Sequence, residues 1–194
     1  MVIDFIKKKF KAITEHSLIR NAFYLMASTI ILSAFGFLFW IIAARLFSPH
    51  DVGIGTALIS SMTIIVALST LGFDNSILRF LGSAPDKNTR LTTILALTTL
   101  SSVCIAAGFL ALSSHIAPDL HFVAANLEYA LLFIAIIVLL CANGILDSTF
   151  IAYRSAQHIL IKSAVYSIFK VALLFGVVGL GAFGIFFANG IALL

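Results

Sequence analysis

Five separate stretches of this chain stay apolar for about 20 residues, and no other feature limits its folding choices as strongly. A helix rises about 1.5 Å per residue, so roughly 20 apolar residues cross the ~30 Å hydrocarbon core of a bilayer. The stretches lie at about 22–44, 53–71, 91–112, 127–151 and 159–180, and the second can be followed towards Leu81. A sixth, 182–194, follows the tight Gly179-Leu180-Gly181 turn. Its length corresponds to roughly 20 Å of helix, short of a full crossing. The expectation is an all-α, polytopic transmembrane bundle of about five full spans plus a truncated sixth, with the chain stopping inside a membrane segment as a fragment would. Composition agrees, at 61% hydrophobic and 10% charged, against roughly 45–50% and about 25% in soluble domains. Too few polar side chains remain to build a surface that faces water.

The connections read as short interfacial turns. Ser48-Pro49-His50-Asp51 joins the first two spans, and 82–88 and 115–121 carry the other proline-containing loops. Cys104 and Cys141 both fall inside apolar runs, so they read as packing thiols and not as a disulfide framework. The segment 1–21 differs from the rest. Ile6, Phe10, Ile13 and Ser17 share one helical face while Lys7, Lys8, Lys9 and Lys11 surround it, the pattern of a short helix lying on a membrane surface. The apolar run behind it exceeds the ~7–15 residues of a signal peptide, which favours an uncleaved first span.

The basic residues set an orientation. With the N-terminus in the cytoplasm, Lys7, Lys8, Lys9, Lys11, Arg20, Arg79, Lys87, Arg90, Arg154 and Lys162 fall on the inner side and only Arg45 on the outer. Lys and Arg collect on cytoplasmic loops, so the net charge of +4 reports topology in a cell membrane and calls for no nucleic acid. On the second span Gly53, Ala57 and Ser61 recur one turn apart, a spacing that suits a close helix contact.

Ionisable groups within a span are costly and mark interior or wet faces. Asp147 lies in the inner third of the fourth span and Lys170 near the middle of the fifth. Asn143, Asp147 and Arg154 share a face of one helix, and Ser163, Tyr166 and Lys170 a face of the next. Facing each other, the two stripes would line one side of an aqueous cavity. Two readings stand for Lys170. It attracts an anionic headgroup, with Arg79 or Arg154 near the entrance, or it pairs with Asp147 and holds two helices in register. Arg79, beyond Asp74 at the end of the second span, fits substrate contact or snorkelling to the interface. The loop residues His115, Asp119 and His121 lack a fourth ligand and any i, i+4 histidine pair, so no metal site is expected. No nucleophile elbow, phosphate-binding glycine loop or pair of catalytic carboxylates occurs, which argues against an enzyme and leaves no cofactor implied.

Two segments carry a resemblance. They are Ala43-Ala44-Arg45-Leu46-Phe47-Ser48-Pro49 followed by Asp51-Val52-Gly53, and Leu71-Gly72-Phe73-Asp74 followed by Arg79-Phe80. Over about its first 80 residues the chain resembles the oligosaccharide flippases of the polysaccharide biosynthesis family, in the superfamily of multidrug, oligosaccharidyl-lipid and polysaccharide exporters. The resemblance implies one lobe of a two-lobe fold, with a second lobe, a homodimer or a partner chain completing it. It also implies a cargo, a polyprenyl-linked oligosaccharide, moved by rocking of the lobes. An ion gradient would drive the cycle, with Asp147 as its candidate site. A cation-coupled drug extruder of the same superfamily is the alternative, as is a non-transporting membrane scaffold or truncated gene product.

Overall fold

A computed structural model describes residues 17–82 and 86–192. The expected surface helix therefore lies almost wholly outside the described residues. Its last residues, from Ser17, are continuous with the first long helix, α1 (Ser17–Leu46). Then follow α2 (Pro49–Ser69), α3 (Phe73–Phe80), α4 (Lys87–Ile116), α5 (His121–Ala125), α6 (Leu127–Ala152), α7 (Ala156–Gly176) and α8 (Gly181–Ile191). Single 3₁₀ turns at Pro118–Leu120 and Val178–Leu180 precede α5 and α8. Among the described residues there is no strand, and five helices are long and apolar enough to cross a membrane. The protein is a multi-pass membrane protein.

Local chemistry sets the helix ends. Ser48 caps α2 by accepting a hydrogen bond from the Asp51 amide, and Pro49 fills a first-turn position where no N–H is needed. Asn126 caps α6 in the same way through the Glu128 amide. The second span does not run on to Leu81. It stops at Ser69, and Leu71 (φ +49°) and Gly72 (φ +75°) turn the chain before α3 restarts at Phe73. Glycine takes this left-handed conformation freely, whereas leucine is strained in it.

Interior packing is sparse and specific, as expected where lipid is as apolar as any side chain. Between 11% and 28% of the most apolar window of each spanning helix is buried. Large apolar residues such as Phe37, Leu100 and Phe175 point outwards, where hydrocarbon covers them. Helix α1 packs most extensively on α7 and scarcely touches α2, its neighbour in sequence. The Asn21 side chain accepts from the Ala156 amide at 2.8 Å, while Phe39 and Ala43 pack with Leu174 and Val177, so α1 and α7 run parallel. Helix α4 runs antiparallel to α6: Leu110 shares a cluster with Phe133, and Ile94 another with Ile145.

The short sixth segment occupies the middle. In α8, residues 182–186 and 188–190 are all buried. The helix lies between α2, α6 and α7, with Gly55 of α2 set against Ile185 and Gly190 set against Ile136 of α6. The close helix contact on α2 is thus made by Gly55. Gly53 and Ala57 are exposed, half a turn away from the face that α8 covers. Apolarity located the small-residue helix but not its neighbour.

Arg20, Arg79, Lys87, Arg90 and Arg154 gather at one end of the bundle, referred to below as the basic end. Arg90 donates to the Phe80 carbonyl at 3.5 Å, and the Lys87 ammonium lies over the Tyr153 ring. At the opposite, far end a run of aromatic rings joins three helices. Tyr129 stacks on Phe183 (4.3 Å between centroids), Phe183 meets Phe186 (5.4 Å), Phe186 stacks on Phe133 (5.4 Å), and Phe133 on Phe109 (5.9 Å).

Candidate functional site

Helices α6 and α7 form an antiparallel hairpin around the turn at 153–155, in which Arg154 takes φ +56°. In such a hairpin, residues equally far from the turn face each other. Asp147 therefore meets Lys162, and Asn143 meets Tyr166. Lys162 donates to Asn143 Oδ1 at 2.8 Å and forms an ion pair with Asp147, with 29% and 30% of the two side chains exposed. Asn143, Asp147, Lys162, Ser163 and Tyr166, together with Leu32 of α1, line a cleft of about 180 Å³. Tyr166 carries the polar face inwards, its hydroxyl 3.2 Å from both the carbonyl and the side-chain oxygen of Asn189 on α8.

Lys170 sits one turn beyond Tyr166. Its ammonium lies 4.3 Å from the centroid of the Phe39 ring and 5.7 Å from that of Tyr166. Asp147 is paired with Lys162, so the pairing of Lys170 with Asp147 is not formed. The register explains this. Lys170 is two turns too far from the hairpin turn to reach Asp147, and aromatic faces hold it by cation–π attraction instead. A lysine so placed keeps its hydrogens available for an incoming anion.

The sequence-selected residues thus separate. Asn143, Asp147 and Tyr166 come together in the cleft and Lys170 continues their track. Arg154 stands exposed in the turn, because α6 ends at Ala152 before the shared face reaches it. Arg79 is exposed on α3, its guanidinium 5.4 Å from the Phe80 ring, and does not line the cleft. Among the described residues it forms no ion pair with Asp74. Sequence reading missed Lys162, assigning its charge to topology alone, and missed Asn189 and Phe39. Two signals pointed to Lys162: its one-turn spacing to Tyr166 and Lys170, and its distance from the turn, matched by Asp147.

The cleft presents an ammonium, a carboxylate, an amide and a phenol, a donor and acceptor set suited to hydroxyl-rich and anionic groups. Asp147 is occupied by Lys162 and does not offer an open acidic site. Among the described residues no group of three His, Cys, Asp or Glu could hold a metal, and His115 instead contacts the Ser114 hydroxyl at 3.0 Å.

Comparison with known families finds one described as Polysaccharide biosynthesis protein, which matches residues 18–193 of the chain. No curated protein and no solved structure matches it.

Proposed function

The chain belongs to the polysaccharide biosynthesis protein family, and from that premise we propose that it forms one lobe of a flippase carrying polyprenyl-linked oligosaccharide across the cell membrane for surface polysaccharide assembly. Membership brings a transporter of exporter or flippase type in general terms, from a family that is generally non-enzymatic. The cargo, the membrane, the orientation and the second lobe belong to this proposal.

One observation carries it: a polar track along the α6–α7 face, from Asp147 and Lys162 past Asn143 and Tyr166 towards Lys170, one turn beyond the cleft. A sugar-phosphate headgroup cannot enter hydrocarbon unaided, because each polar group stripped of water there costs several kcal/mol. Along the track, sugar hydroxyls find Asn143, Asp147 and Tyr166 while phosphate finds Lys170 and the one remaining hydrogen of Lys162. The prenyl chain stays in the bilayer. The clustering of the basic end supports a cytoplasmic N-terminus by the positive-inside rule, and the track would face a second lobe against which this one rocks. A cation-carrying drug extruder is less well supported, since Lys162 neutralises the one carboxylate in the cleft.

Complementation tests the reading. A strain lacking its lipid-linked oligosaccharide flippase should regain surface polysaccharide when given this protein with its second lobe. Lys170→Ala in the same system should lower export by about tenfold or more, the worth of one charge-assisted contact, with insertion unchanged. Export at the wild-type level would remove Lys170 from the track.

A further inference from the structure

Two arginines of the basic end come from different helices and are held by the same residue. The Arg79 guanidinium lies 5.4 Å from the centroid of the Phe80 ring, and Arg90 of α4 donates to the Phe80 carbonyl at 3.5 Å. Lys87, one turn before Arg90 on the same side of α4, sets its ammonium 5.6 Å from the centroid of the Tyr153 ring. Beneath them Ile77 and Leu81 of α3, Ile94 of α4 and Ile145 of α6 pack in one cluster, which holds the three helices side by side.

These charges stand uncompensated. None of Arg79, Lys87 and Arg90 forms an ion pair among the described residues. Like charges one turn apart on a helix repel. A helix start favours negative charge, yet the first turn of α4 carries no acidic residue, and Asp86 before it makes no side-chain capping bond. Lys87 and Arg90 thus occupy positions where cations are unfavourable. Topology asks only for lysines and arginines on this side of the membrane. It does not ask for two guanidinium groups on one residue, nor for cations at the start of a helix. A hollow of about 260 Å³ lies alongside, lined by Asp86, Lys87, Asn88 and Thr89.

We propose that Arg79, Lys87 and Arg90 form a site for the phosphate headgroup of an anionic bilayer phospholipid. An anion turns their mutual repulsion into shared attraction, and phosphate suits the guanidinium forks. Arg90 has used one N–H on Phe80, and its other donors remain for phosphate. Basic pockets between spanning helices at the cytoplasmic surface take lipid headgroups in this way. The exposed Leu78 and Phe80 offer the acyl chains an apolar wall. None of the three cations lines the α6–α7 cleft, so the site is separate from the cargo track. A bound phosphate joins the end of α3 to the start of α4.

Native mass spectrometry of the detergent-purified full chain, titrated with dioleoylphosphatidylglycerol or dioleoylphosphatidylcholine, tests this. The wild-type chain should bind one phosphatidylglycerol about tenfold or more tightly than phosphatidylcholine. Arg90→Gln and Lys87→Gln should each lower that preference by about fivefold, the share of one cation at a membrane surface. Arg20→Gln removes an equal charge from the same end, on α1, and should leave the preference unchanged. Each variant is checked for monodispersity and helix content, and Lys87→Gln decides the matter if Arg90→Gln does not fold. The site is overturned if the folded wild-type chain shows no preference, or if the folded Arg90 and Lys87 variants keep it. Equal loss in all three variants would also overturn it, since the charge would then act diffusely. So would a short prenyl phosphate that displaces phosphatidylglycerol more readily than phosphatidylglycerol itself does, which would give these cations to the cargo.

Discussion

Helix α6 joins two regions built on opposite terms. Towards the far end, Tyr129 and Phe133 stack with Phe183 and Phe186 of α8 and with Phe109 of α4, and Gly190 lets Ile136 come close. Towards the basic end, Asn143 and Asp147 face Lys162 across an open cleft. In water, the hydrophobic effect would favour closing both. In hydrocarbon that force is absent between helices, and what holds them is shape at one end and a few polar bonds at the other. A region built on interlocking shapes leaves no room, whereas one built on directional bonds leaves space between them. One helix thereby carries a closely packed end and an open, polar one.

Disrupting the aromatic run should have the largest effect. Phe186→Ala leaves a cavity at the centre of the far end. The transfer part of the usual penalty is missing in lipid, and the cavity part alone amounts to about 2–3 kcal/mol. Reversible unfolding in mixed micelles measures this, and a loss below that of a lipid-facing leucine would show that the column does not hold the bundle. Asp147→Asn should come next, at about 1–2 kcal/mol, because it strands the Lys162 charge in a half-buried place. Adding Lys162→Met should return much of that loss. If the double variant is as unstable as the single, the two side chains are not coupled. Tyr166→Phe removes one hydrogen bond to Asn189 and should cost about 0.5–1.5 kcal/mol. Wild-type stability would mean that the α7–α8 contact rests on packing alone. The baseline is Leu100→Ala at a lipid-facing site, 62% exposed, with a change within about 0.5 kcal/mol.

Much of the fold is legible in the sequence because run length and hydropathy act locally. The five long spans appear where apolar residues continue, and their helices extend into polar flanks such as Ser17–Arg20 and Lys87–Arg90, since a helix does not end where hydrocarbon does. Of the two lengths open to the second span, 53–71 or on towards Leu81, the chain takes the shorter, stopping at Ser69. Facts about partners were less accessible. The small residues of α2 recur on two faces, and only the central position of α8 selects Gly55 over Gly53. Asp147 and Lys170 were the two charges singled out within spans, yet hairpin register gives Asp147 to Lys162. That register could be counted from the 153–155 turn, so the ion pair was accessible before the fold. The seat of Lys170 on Phe39 was not, because nothing local shows that α1 packs beside α7.

Everything proposed for transport requires the α6–α7 face to be wet while the lipid-facing surfaces of the bundle are dry. Thiol labelling measures that directly. In a chain with Cys104 and Cys141 replaced by alanine, Asn143→Cys and Leu100→Cys are each treated with a charged, membrane-impermeant methanethiosulfonate. We expect rapid labelling at 143, blocked when the reagent is kept from the basic end, and none at the lipid-facing 100. Equal inertness at both positions would mean that hydrocarbon or protein fills the cleft, and the account of a sheltered headgroup would be wrong.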